Sequence, residues 1–380
     1  MRMIGHGLLF VILTTLPALG GPQHILIGMD ETSTFGDAGQ TFSAPGNDTL
    51  VVMDTSNPAR PTLGAPIPMS NSVYGPPVNL QITPDGSLGL VASSVLPVQK
   101  DGKWVNGPDN KLHLIDLTTM QKLDDVKVGD QPHGVAISRD GKLVVIANRM
   151  SKDVNVLSID GKSLKQIATV ALGDAAVAAA ITPDGKRAFV VKNGLGRVAV
   201  LSLDGDKVSY DSTMDIPTGA NPYNLALTPD GSLGFVVNNG VRGHNGSVTV
   251  FEARGPHPRV IDTLAIGDGP EGFAMAPDGK SAVVILLHGS TSGPSEWPYH
   301  ANGGAAIIAI ENGKARVLPG EVKLGSVPEG VAYSRDSKYV YVGDFTDKVL
   351  HILRAGSKGL VETGSMKLPG HPASIRGPAF

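Results

Sequence analysis

The sequence has no cysteine. That absence excludes disulfides, thiolate zinc centres, cysteine nucleophiles and the Cys-x-x-Cys-His attachment of covalent haem. Any metal must therefore use His, Asp, Glu or backbone oxygen. Charge is scarce as well, at 18% of residues, and nearly balanced, with 32 basic and 35 acidic residues giving a formal charge of -3. Nothing in that balance attracts a polyanion, so nucleic acid is not an expected partner. Aromatic residues make up only 5% of the chain, which makes any local concentration of them informative. Also missing is an apolar run of the roughly 20 residues needed to cross a bilayer. Residues 8–19 are apolar except for Thr14, Thr15 and Pro17; Arg2 precedes them and Ala18-Leu19-Gly20 closes them. This is the pattern of a cleaved secretory signal. The expectation is a signal peptide at residues 1–20 and a single domain at residues 21–380, periplasmic or secreted, with no membrane span after cleavage.

What is abundant is punctuation. The 48 glycines and 28 prolines among 380 residues argue against long helices, while 41% hydrophobic residues suffice for a core. An Asp-centred turn recurs as Pro84-Asp85-Gly86, Arg139-Asp140-Gly141, Pro183-Asp184-Gly185, Pro229-Asp230-Gly231, Pro277-Asp278-Gly279 and Arg335-Asp336-Ser337. A period of about 50 residues carried on short strands marks propeller blades of four strands each. In one repeat, residues 134–138, 143–147, 153–159 and 166–172 read as strands, with tight turns at Asp140-Gly141 and Asp160-Gly161. After the sixth such turn, Gly370-His371-Pro372-Ala373-Ser374-Ile375 begins another repeat and stops. Residues 25–28, 49–53 and 63–68 can complete it. The expected fold is all-β: a seven-bladed β-propeller of four-stranded blades, closed by N- and C-terminal strands sharing one blade, with Ile375 pairing near residues 49–53. Closure of this kind leaves no unpaired edge.

The string Gly325-Ser326-Val327-Pro328-Glu329-Gly330-Val331-Ala332-Tyr333-Ser334-Arg335-Asp336, followed by Tyr339-Val340-Tyr341-Val342, resembles the YVTN-repeat propellers of bacteria, within a lactonase-like superfamily of seven-bladed propellers. The resemblance covers nearly all of the mature chain and implies the fold. For function it implies a range, because that superfamily includes surface-layer repeats, periplasmic proteins, sugar-lactone hydrolases and the cytochrome d1 haem domain. Its lactonases usually carry Pro-Arg-His at the start of a first strand, where this chain reads Pro132-His133-Gly134.

The tight Asp turns mark one plain face of the ring, so the longer loops collect on the other, where binding is expected. Seven residues before each repeat Asp stand Val78, His133, Val177, Tyr223, Glu271 and Glu329, with Ala373 as the seventh by the same motif. Pseudosymmetry gathers them into a ring at the channel mouth. A purely structural position would favour one residue type, whereas this one mixes apolar groups with an imidazole, a phenol and two carboxyls. His133, Glu271 and Glu329 are the candidates for acid and base chemistry and for ligating a divalent metal. The repeat between Asp278 and Asp336 is the longest, and its extra residues 287–304 bring His288, Trp297, Tyr299 and His300 into one loop. Such a loop suits a lid over a ligand. Arg242 and His244, in the loop 238–246, are expected beside Tyr223. The sequence therefore points to an exported propeller binding a small molecule, glycan or protein partner at the loop-bearing mouth. The alternatives are a lactonase-like hydrolase or isomerase using the same site, and an accessory redox role with a non-covalent cofactor.

Overall fold

Each repeat folds into four antiparallel strands in up-and-down order. In blade 2 these are Pro132–Ile137, Leu143–Asn148, Asp153–Asp160 and Ser163–Ala171, from the channel outward. The computed structural model describes residues 23–37 and 39–379. The expected signal peptide lies outside the described residues, and no helix among those described is long and apolar enough to cross a membrane. Burial falls from the inside outward: Pro132–Ile137 is buried throughout, whereas Ser163–Ala171 has no fully buried residue. An inner strand is packed by neighbours on both faces and so carries apolar residues without strict alternation, while the outermost strand meets water.

No blade has a core of its own. Seven apolar clusters each join two adjacent blades around the ring. Val145 and Val156 of blade 2 pack with Val190 and Leu201 of blade 3, and Ile27 and Met53 of blade 7 pack with Tyr341 and Leu350 of blade 6. The stabilising burial is thus circular.

The recurring Asp is a turn device. Ser138 donates its hydroxyl to Asp140 at 2.6 Å, and the same 2.6 Å bond joins Thr83 to Asp85, Thr182 to Asp184, Thr228 to Asp230 and Ser334 to Asp336. The residue after Asp is left-handed, with φ of 72° at Gly141 and 69° at Gly185, which is why glycine recurs there.

Blade 7 is shared by the chain ends, with one correction to the expected pairing. Ile375, in the innermost strand Pro372–Arg376, faces Ile27 of His24–Met29, and Thr49–Asp54 pairs with the far side of that strand through Ile27 and Val51. The C-terminal strand takes the first place of the blade, so the next strand outward is the first of the chain. The outer strand expected over residues 63–68 is broken into Thr62–Leu63 and Ile67–Pro68. Gly64, Ala65 and Pro66 fall in the gap, and Pro66 has no N–H to give a ladder.

Candidate functional site

The ring residues occupy a repeated local defect. In six inner strands the register slips at or beside the position in question: between Pro132 and Gly134, Ala176 and Ala179, Pro222 and Asn224, Pro270 and Phe273, Pro328 and Val331, and Pro372 and Ser374. A bulge leaves an extra residue unpaired and re-aims its side chain. His133, Tyr223 and Ala373 are the unpaired residues, and Val177, Glu271 and Glu329 each fall in a slip of two residues against one, so the sequence position and the bulge are one feature. Val78 and Val177 belong to one apolar cluster, and Ala373 packs with Val73, Val327 and Phe345.

The polar members form a cluster withdrawn from water, hereafter the chamber, within electrostatic reach of one another and of Arg149. His133, Glu271 and Glu329 are buried and Tyr223 is half-buried. Burial pushes the Glu271 carboxyl up to about 8, against the pull of Arg149. Glu329 stands well above the usual carboxyl range, through burial and then through the charge of Glu271. The Tyr223 phenol is raised by burial and then by Glu271, with Glu329 and Tyr74 acting in the same direction and Arg149 opposing. His133 is held down at about 3 by burial and by Arg149. Near neutral pH the chamber therefore presents protonated carboxyls, a phenol and an uncharged imidazole. Nε2 of His133 and Oε2 of Glu329 have no hydrogen-bond partner among the described residues. A buried polar atom without a protein partner calls for a water, an ion or a ligand group to satisfy it.

Two members of the chamber lie outside any repeated position. Arg149 follows the strand Leu143–Asn148, and its guanidinium carbon stands 5.4 Å from the centroid of the Tyr74 ring. Tyr74 belongs to a segment crossing the mouth, tied down where the Val73 amide donates to Asp30 at 2.9 Å and Asn79 Nδ2 donates to Asn71 at 2.6 Å. Gly75 in this segment has φ of 108°, and its backbone lies so close to the His133 imidazole that a Cβ would overlap it.

Loops between second and third strands complete the cover. The hairpin of Ser33–Gly36 and Gly39–Phe42 lays Phe35 edge-on to Phe345, with ring centroids 5.5 Å apart. The insertion 287–303 approaches the mouth only with its first half, where Ser290 Oγ accepts from the Val327 amide at 3.1 Å and Gly293 abuts Asp37. Its aromatic half turns away. Trp297 is 76% exposed and rests against Gly243, Tyr299 is half-buried and His300 is exposed. His288 is bound to Glu321 at 2.7 Å, which raises its pKa. Arg242 pairs with Glu296 at 3.3 Å on the surface, and His244 is exposed. The ring thus comes together with Arg149 and Tyr74, while Arg242, His244, His288, Trp297, Tyr299 and His300 form an outer layer. Among the described residues no group of three or more His, Asp or Glu side chains is arranged to hold a metal ion.

Comparison with known proteins agrees with this architecture. The family model described as cytochrome D1 heme domain matches residues 88–242. No curated protein matches. Among solved structures, the periplasmic gluconolactonase of Pseudomonas aeruginosa is 16% identical over 94% of this chain and 99% of its own, with a TM-score of 0.67. Hydrazine synthase of Kuenenia stuttgartiensis is 21% identical over 80% of this chain and 90% of that one, at 0.61. A protein of unknown function from Desulfotomaculum acetoxidans is 15% identical over 94% and 99%, at 0.67. At these identities the likeness is one of fold. With the Gly75 segment in place, the haem suggested by the family match has no open approach to the ring, an obstacle that any ligand of His133 shares. The ring's single imidazole, that of His133, is covered by the Gly75 backbone, and Val78 and Val177 pack in one cluster at the same level. A macrocycle on His133 would have to displace the Gly75 segment.

Proposed function

We propose that this chain is an exported propeller of the YVTN-repeat type that binds a small, neutral, hydroxyl-rich molecule in the chamber of His133, Tyr223, Glu271, Glu329, Arg149 and Tyr74. The observation that carries this reading is the pair of buried, unpartnered atoms, His133 Nε2 and Glu329 Oε2, beside carboxyls kept protonated by burial. Such a set offers several donors and acceptors, and its one formal charge, that of Arg149, is faced by the Tyr74 ring, which suits a polyol or sugar lactone. Binding requires the segment bearing Tyr74 and Gly75 to lift, since it covers the imidazole.

A second reading, lactone hydrolysis in the same chamber, draws support from two facts. The fold neighbours include a periplasmic gluconolactonase, and a carboxyl near 8 such as that of Glu271 is still protonated at neutral pH and able to donate a proton. In that reaction water adds to the lactone carbonyl, the ring C–O bond breaks, Glu271 protonates the departing alkoxide and regains its proton from the added water, and the hydroxy acid formed then ionises. The test is calorimetric titration of the purified protein with glucono-1,5-lactone and with its unreactive alcohol counterpart 1,5-anhydroglucitol, alongside pH-stat measurement of acid release. Binding of both, weakened at least tenfold in Glu329→Ala, is expected. Failure of either compound to bind, or unchanged binding in Glu329→Ala, refutes the chamber as the site.

A further inference from the structure

The plain face of the ring holds a cavity of about 890 Å³ that the chamber does not use. It lies at the other ends of the inner strands, with Ile137, Ile181, Leu227, Met275 and Val331 among its lining residues. Arg376, the last residue of Pro372–Arg376, and His24, the first of His24–Met29, also line it. Arg376 makes no ion pair among the described residues. Its one hydrogen bond runs from Nη1 to the Phe273 carbonyl at 3.5 Å, and its Nε has no partner. Nδ1 of His24 is likewise withdrawn from water without a partner. Arg376 is half-buried; a guanidinium partly withdrawn from solvent with no anion is costly to hold, and burial alone brings its pKa down to about 10. Asp85 lines the same cavity, but its carboxylate is engaged by Thr83 at 2.6 Å and Ser87 at 2.8 Å. Two further arginines, Arg139 and Arg335, line the cavity from turns where the other four repeats carry Pro84, Pro183, Pro229 and Pro277.

An unmatched cation set in aliphatic walls suits a ligand with one charged end and an apolar body. We propose that this cavity is a second binding site, for a small organic carboxylate whose carboxylate seats on Arg376 and whose apolar body lies along the inner-strand walls. It stands apart from the chamber, at the opposite end of the channel, and needs none of the ring residues.

The experiment is calorimetric titration of the full chain with four probes: hexanoate, hexanamide, acetate and inorganic phosphate. Hexanoate is expected to bind, with hexanamide and acetate weaker by roughly tenfold or more, because one lacks the charge and the other the apolar body. Arg376→Gln should lower hexanoate affinity by a similar factor, and Arg376→Lys by less. Equal affinity for hexanoate and hexanamide, or hexanoate binding untouched in Arg376→Gln, overturns the proposal. Phosphate binding as tightly as hexanoate overturns it too, since the apolar walls would then be irrelevant, as does the absence of any hexanoate binding. Should Arg376→Gln fail to fold, the comparison of probes on the unaltered protein decides.

Discussion

Ile375 and Ile27, from opposite ends of the chain, face each other in the antiparallel pair that closes the ring. Both are fully buried, in the cluster that joins blades 6 and 7. Because all seven cores lie between blades, this seam is no more dispensable than any other interface.

Ile375→Ala is therefore expected to destabilise the protein by roughly 2 to 5 kcal/mol, the range for deleting a buried aliphatic side chain. Val361→Ala, at a residue 64% exposed on the outer strand of blade 6, serves as the control and should change stability by less than about 0.5 kcal/mol. Urea midpoints measured side by side check this, and equal midpoints for the two variants would show that the seam carries no core.

A second expectation concerns the Asp turns. Gly185 has φ of 69° and open space where a Cβ would stand, so any loss on substitution is purely conformational. Gly185→Ala should cost roughly 1 to 2 kcal/mol, and Gly185→Asn less, because asparagine tolerates the left-handed region. Thermal melting of the pair tests the order, and an alanine variant as stable as the parent would contradict it.

The parts of the molecule legible in the sequence are those that repeat. The Asp turn recurs because a left-handed residue after the aspartate solves the same problem in six blades, with a hydroxyl-to-carboxylate bond in five, and the ring residues recur because six blades have a bulge at the same place. Arg149 and Tyr74 could not be found this way. Each occupies a position used once, and their meeting depends on a segment laid across the mouth by Asp30 and Asp48. At residues 287–304 composition singled out the aromatic and imidazole groups, of which Trp297 stands 76% exposed, and gave no sign that the unremarkable Ser290 bonds the Val327 amide. Arg376 gave no signal at all, since an arginine at the end of a strand is ordinary until its surroundings are seen to lack a carboxylate.

Stability should also fall with rising pH across a defined window. Glu271 has an ordinary value of 4.5 and is pushed up to about 8 in the folded chain. Between those values the folded state keeps a proton that the unfolded state has released, so raising the pH favours unfolding. The contribution is fully present below 4.5 and lost as pH passes 8. Asp48, raised to about 7 by burial and then by Asp30, acts in the same direction, whereas His133, lowered from 6.5 to about 3, opposes them below 6.5, so the decline is steepest between 6.5 and 8. Glu271→Gln should therefore flatten, without abolishing, the decline in melting temperature between those limits. A wild-type melting temperature that rises steadily across the window would contradict the burial of protonated carboxyls in the chamber.

The two readings of the chamber separate on the same residue. A protonated carboxyl and an amide both offer one acceptor and a donor, so Glu271→Gln keeps the hydrogen bonding available at neutral pH but cannot release a proton. If the chamber only binds, Glu271→Gln should hold 1,5-anhydroglucitol within a few-fold of the parent. Glu271→Ala, which deletes both groups, should weaken it roughly tenfold to a hundredfold. If it also hydrolyses, Glu271→Gln should bind normally yet lose roughly 100-fold or more in lactone turnover, the usual worth of a positioned proton donor. Trp297→Ala is expected to leave binding and turnover unchanged, because that side chain is 76% exposed and lies outside the cover formed by Tyr74 and Gly75. Melting curves for all three variants guard against loss by unfolding. Normal binding in Glu271→Ala, or a Trp297→Ala effect exceeding that of Glu271→Ala, would move the site out of the chamber and onto the outer loops.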